Sequence, residues 1–166
     1  TPSLGALNGM PIQGTWKLNV ADLARRDKGK LQRWNLEIGL APSNTIRAEQ
    51  SSSLKIPDNN PDGISDTLAV KKTGVVQSIK IWLDITHTYI GDLRVQLIAP
   101  SGKTVLLHDR SGGNQDNLIK TYDAANLPLL QELTGEKVKG SWILKVFDLA
   151  GRDVGKLNHW GVEVSI

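Results

Sequence analysis

The feature that most constrains this chain is a repeat. Residues 11–38, PIQGTWKLNVADLARRDKGKLQRWNLEI, recur at 137–164 as KVKGSWILKVFDLAGRDVGKLNHWGVEV. The offset is 126 residues throughout, pairing Trp16 with Trp142, Asp22 with Asp148, Gly29 with Gly155 and Trp34 with Trp160. Half of the 28 aligned positions are identical, without a gap. Pro2, Leu4, Leu7 and Gly9 carry the match upstream against Pro128, Leu130, Leu133 and Gly135. Residues 1–40 therefore read as the C-terminal part of a preceding repeat, 41–53 as a linker, and 54–166 as a complete domain. A repeat unit of this length is ordinary for a single domain, which buries about two-thirds of the surface its unfolded chain exposes.

Charge needs to be divided in the same way. The net charge is +3, but residues 1–40 hold six Lys/Arg against three Asp/Glu, while 41–166 hold fourteen of each. The complete copy is neutral and has no dense basic stripe, so the sequence argues against a nucleic-acid partner. No apolar run is long enough to span a bilayer, which argues against a membrane partner as well. Without cysteine, neither disulfides nor thiol chemistry are available.

Strand signals dominate the complete copy. Ile79, Ile81, Leu83 and Ile85 alternate with polar neighbours, and Leu93, Val95, Leu97 and Ala99 do the same. Pro100-Ser101-Gly102-Lys103 is a turn into Thr104–His108, predicting a hairpin. Trp142, Leu144 and Val146 share one strand face; Trp160, Val162, Val164 and Ile166 share another. No segment predicts a helix of ten residues, although 124–133 has room for a turn or two. Polar Ala41-Pro42-Ser43-Asn44 and Gln50-Ser51-Ser52-Ser53 read as surface connection, with Ile46 and Leu54 as the first residues to dock. The expected fold is all-β, an antiparallel sandwich.

Three clusters together resemble a known family. Ile56-Pro57-Asp58-Asn59-Asn60 leads into Gly63-Ile64-Ser65-Asp66-Thr67-Leu68; Asp84-Ile85-Thr86-His87-Thr88-Tyr89-Ile90-Gly91-Asp92-Leu93 leads into Leu97-Ile98-Ala99-Pro100-Ser101-Gly102; and Gly140-Ser141-Trp142 is followed by Asp148, Asp153, Gly155, Leu157 and Trp160. The combination resembles the P domain, or Homo B domain, of kexin- and furin-type subtilisin-like proteases, in its bacterial secreted form. Residues 2–38 match the C-terminal third of the same domain. The resemblance implies a jelly-roll β-sandwich of about eight antiparallel strands and a non-catalytic role. It implies a subtilisin-like catalytic domain in the same parent chain, stabilised by this one, and a secreted, extracellular setting. Calcium and pH responses of the protease domain are further implied. The tandem repeat keeps a second reading open, an extracellular binding or adhesion module contacting glycan or protein.

The residues themselves give several expectations. His87 and Asp92 with Ser65 or Ser78 could be imagined as a hydrolase triad, but no GxSxG elbow is present. His87 reads instead as closing a strand end with its ring bonded to backbone, and Asp92 as accepting amide hydrogens in the Gly91 turn. Asp58-x-Asn60-x-Asp62-Gly63, with Asp66 beyond, matches the opening of a calcium loop, with oxygen ligands at alternate positions before a glycine. Position twelve is Ala69 rather than a bidentate Glu, so an Asx-rich turn is the favoured reading and a calcium site built on Asp58, Asn60, Asp62 and Asp66 the alternative. Asp148 and Asp153, like Asp22 and Asp27, should bond loop amides and pair with Arg152 or Arg26, stiffening a hairpin. Trp142 and Trp160 belong in the core, whereas Trp82 falls on the opposite face from Ile81 and Leu83 and is the candidate docking residue. Because 1–40 and 127–166 compete for the same sheet positions, a monomer and a strand-exchanged dimer are both expected states.

Overall fold

Period-two alternation becomes eight strands in the computed structural model, which describes residues 14–23, 26, 28–36, 38 and 44–166. The strands are β1 (Thr45–Ile56), β2 (Asn60–Val70), β3 (Ser78–His87), β4 (Leu93–Ile98), β5 (Thr104–Asp109), β6 (Leu118–Tyr122), β7 (Gly140–Asp148) and β8 (Gly155–Ser165). They form two antiparallel four-stranded sheets, ordered β1-β8-β3-β6 and β2-β7-β4-β5. This strand order is that of a jelly roll. Alternate residues of each strand face the space between the sheets, where Ile81, Leu97, Trp142, Leu144, Val146, Leu157, Trp160 and Val162 are completely buried.

Among the described residues, only β4 and β5 form a tight hairpin. Ala99 N–H donates to the Lys103 carbonyl at 2.8 Å, and Gly102 supplies the left-handed turn residue at φ +90°. The segment joining β7 to β8 was expected to close a hairpin too. It instead carries the chain from one sheet to the other, because each strand is central in its own sheet and flanked by other partners. Each sheet therefore depends on a strand delivered by the chain's last third.

Strand β1 begins at Thr45, so residues 45–53 lie in a sheet although their polar composition reads as linker. It is an edge strand, with one face toward solvent, and such a face tolerates Ser and Gln. Ile46 is nonetheless buried and Leu54 packs on the core. Residues 128–133 make a single short 3₁₀ segment that buries Leu130 and Leu133. Residues 1–42 form a unit separate from 43–166, and the described residues of that unit contain no strand.

Candidate docking and ion-binding residues

The β1–β2 turn, the β3–β4 connection and the β7–β8 crossover carry most of the residues that chemistry could use. Asp58 in the β1–β2 turn accepts from the backbone N–H of Arg152 through both carboxylate oxygens, at 3.1 and 3.2 Å. Asn60 Oδ1 accepts from Asp62 N–H at 2.8 Å, an Asx turn. Gly63 has φ +57°, and a Cβ there would lie 2.8 Å from Phe147 Cδ1 and press on the Val146 carbonyl. Glycine is thus required where the β2–β7 register shifts between Asn60 and Ile64.

Asp66 stands apart from these residues. Its carboxylate turns into the sandwich and accepts from Trp160 Nε1 at 2.9 Å, from Gln50 Nε2 at 2.6 Å and from the Ser52 hydroxyl. Three side chains of β1 and β8 thus converge on one carboxylate of β2, and the burial cost of that acid is met by N–H and O–H donors. A cation cannot share those lone pairs without displacing the donors. The donor set of Asp58, Asn60, Asp62 and Asp66 therefore does not fit a single calcium ion. Among the described residues, no group of three or more histidine or acidic side chains is arranged to hold a metal.

His87 is buried at the end of β3, with Nε2 3.2 Å from Asp148 Oδ2 and Nδ1 accepting from Tyr89 N–H at 3.1 Å. This pair of contacts fixes a proton on Nε2, so the ring donates to Asp148. Asp148 also accepts from Ala150 N–H, as a loop-stiffening acid should. Asp153 accepts from the Thr88 hydroxyl at 2.8 Å, while Arg152 joins the loop through its backbone N–H to Asp58. The expected pairing of Arg152 with Asp148 or Asp153 is replaced by that contact, because Arg152 sits at φ +96° with its amide turned toward the β1–β2 turn.

Asp92 enters the Gly91 turn through its backbone. Its N–H donates to the Tyr89 carbonyl at 3.2 Å, and its carbonyl accepts from Leu149 N–H at 3.0 Å. Burial and the nearby carboxylates of Asp148 and Asp153 push the Asp92 carboxyl above its ordinary value; Arg110 and His87 oppose them.

His108, for which the sequence suggests no partner, places Nε2 3.0 Å from the Ile90 carbonyl and Nδ1 3.3 Å from Ser111 Oγ. A carbonyl occupies the position a triad carboxylate would hold, and the serine contact is long. Neither histidine has the partners of a hydrolase.

Trp82 is half-buried on the outer face of β3. The Arg47 guanidinium lies 4.5 Å from the centre of its ring, and Gly161 of β8 lies directly opposite in register. A Cβ at Gly161 would lie 2.6 Å from Trp82 Cε2 and 2.8 Å from the Ala48 carbonyl. The indole is therefore flanked by a cation and by a backbone that glycine alone permits. The sequence places Trp82 on the correct face but shows nothing of these neighbours, which come from β1 and β8.

Comparison with known proteins agrees with this architecture. The sequence profile of the Proprotein convertase P-domain matches residues 3–38 and, separately, 76–164. A calcium-dependent protease of Trichormus variabilis is 41% identical over 112 residues, covering 66% of this chain and 17% of the relative. Leupeptin-inactivating enzyme 1 of Streptomyces exfoliatus is 35% identical over 133 residues, covering 78% of this chain and 28% of the relative. The crystal structure of a serine protease of Aeromonas sobria superposes with a TM-score of 0.60 at 16% identity, over 77% of this chain and 28% of that one. The chain thus corresponds to less than a third of each of these proteins.

Proposed function

This chain belongs to the Proprotein convertase P-domain family, and we propose that it supports the folding and stability of a subtilisin-like catalytic domain in the same secreted parent protein. The domain itself is the accessory, non-catalytic part. The observation that carries the reading is proportion: the chain aligns with 17% of a calcium-dependent protease and 28% of leupeptin-inactivating enzyme 1, leaving most of their length for the chemistry. A sandwich with a continuous apolar core between its two sheets suits a fixed buttress.

Calcium belongs to this reading through the parent protein. One relative is named for calcium dependence, but here the Asp58 and Asp66 carboxylates accept hydrogen bonds at separate places in the fold. Thermal unfolding of this chain should therefore be the same in millimolar calcium and in chelator. A rise in Tm with calcium would return the ion to this domain.

The direct test removes residues 43–166 from the parent and follows refolding yield and thermal inactivation of the protease. Lower yield and faster inactivation, relieved by adding the chain in trans, are expected. Unchanged values would overturn the stabilising role. The internal repeat favours one alternative, a tandem binding module; in that case binding to glycan or protein would be lost on deletion while protease stability stayed the same.

A further inference from the structure

The β7–β8 segment fits its place through five demanding positions. Gly140 passes Pro100 so closely that a Cβ would lie 2.6 Å from the proline ring. Asp148 accepts from His87. Gly155 lies against the His87 ring, where a Cβ would also come within 2.9 Å of the Thr86 carbonyl. Trp160 donates to Asp66, and Gly161 admits Trp82. The upstream copy supplies Gly14, Asp22, Gly29 and Trp34 at the first four positions and Asn35 at the fifth.

Two unusual backbone angles match as well. Gly14 has φ +143° against +140° at Gly140, and Arg26 has φ +105° against +96° at Arg152. A non-glycine residue at such an angle is uncommon, so the coincidence at Arg26 is specific. The inward side chains differ in their burial. Leu144, Val146, Leu157, Trp160, Val162 and Val164 are 0% exposed, whereas Leu18, Val20, Leu31, Trp34, Leu36 and Ile38 are between 39% and 69% exposed.

The connection to the rest of the chain is short enough for either copy. Ile166 N–H donates to the Asn44 carbonyl at 2.8 Å, so the end of β8 and the start of β1 are neighbours in one sheet. Leu40 is the counterpart of Ile166, and only three residues separate it from Asn44 in the sequence. Hairpin loops of two to five residues are the commonest kind.

We propose that residues 14–38 are a second β7–β8 segment able to occupy the slot between β1 and β3 and between β2 and β4 of this same chain, forming a circularly permuted jelly roll. Gly161 decides which copy holds the slot. Asn35 in its place would drive a side chain into Trp82 and the Ala48 carbonyl, while Leu36 and Ile38 each add a methylene beyond Val162 and Val164. Trp82 is thus the residue that reads the difference between the copies.

Disulfide trapping tests this, because the chain has no cysteine of its own. Lys55 lies opposite Lys156 in the β1–β8 register, and the counterpart of Lys156 is Lys30. Lys55→Cys with Lys156→Cys reports the C-terminal segment, and Lys55→Cys with Lys30→Cys reports the upstream one. Exchanging the selector residues, Asn35→Gly with Gly161→Asn, should raise the Lys30–Lys55 cross-link within the monomer about tenfold or more, since overpacking of this kind outweighs one decade in an equilibrium constant. The Lys55–Lys156 cross-link should fall in parallel. Asn35→Gly alone leaves the C-terminal segment intact and should still give a rise, covering the case in which the double exchange does not fold. No rise in either background would overturn the proposal. Cross-links found only between chains would overturn it in favour of exchange between two copies.

Discussion

The indole N–H of Trp160 on β8 donates to the carboxylate of Asp66 on β2 at 2.9 Å, joining the two sheets through the interior. Gln50 and Ser52 of β1 complete the same carboxylate. Asp66→Ala leaves these donors without an acceptor and should cost about 2–3 kcal/mol. A denaturant titration read by tryptophan fluorescence checks both parts: a lower midpoint and an altered native emission. An unchanged midpoint would mean that water replaces the carboxylate at no cost.

Gly155 faces His87 across the β3–β8 pair with no room for a side chain. Gly155→Ala should destabilise the domain by about 1–3 kcal/mol through overpacking. Gly151→Ala is the comparison, since a Cβ there would meet nothing closer than 3.9 Å. Equal midpoints for the two variants would remove the steric argument.

Asp92 sets a pH dependence. Burial first, then Asp148 and Asp153, raise its pKa in the folded state above the ordinary 3.8. The folded protein therefore binds this proton more tightly than the unfolded chain, and the Asp92 contribution to stability is lost as pH rises from the ordinary value through the raised one. Asp92→Asn should raise Tm at neutral pH by about 1–3 °C, and the gain should disappear in acid below that window. A gain that persisted in strong acid would point to packing instead.

Tyr122 is buried with no hydrogen-bond partner on its hydroxyl, and burial pushes its pKa up to about 12. Because the folded state resists ionisation, stability should fall as pH rises above the free tyrosine value near 10. Tyr122→Phe removes both the buried hydroxyl and that loss. It should stabilise the domain by about 1 kcal/mol at neutral pH and by more in alkali. Denaturant midpoints at the two pH values decide it.

The strands with one apolar and one polar face were legible in the sequence because their period is two, as at Ile79–Ile85 and Leu93–Ala99. Trp142 and Trp160 were legible as core residues for the same reason. Strand β1 was not, since Gln50-Ser51-Ser52-Ser53 on a sheet edge has the composition of a loop. Asp66 shows the limit most clearly. Its spacing from Asp58 suggests a shared ion, yet strand alternation turns its carboxylate inward to Trp160 and away from the turn that holds Asp58.

The sequence by itself determined the repeat, the all-β class and the family, because each is carried by local pattern: a fixed offset, a period and a set of motifs. Only the tertiary structure decided which residues meet. Asp66 with Trp160, His87 with Asp148 and Trp82 with Gly161 are each more than 60 residues apart, joined by a topology in which both sheets close on strands from the end of the chain. Non-local pairing of that kind leaves no periodic trace, since the contact is set by strand order and register and not by neighbours in sequence.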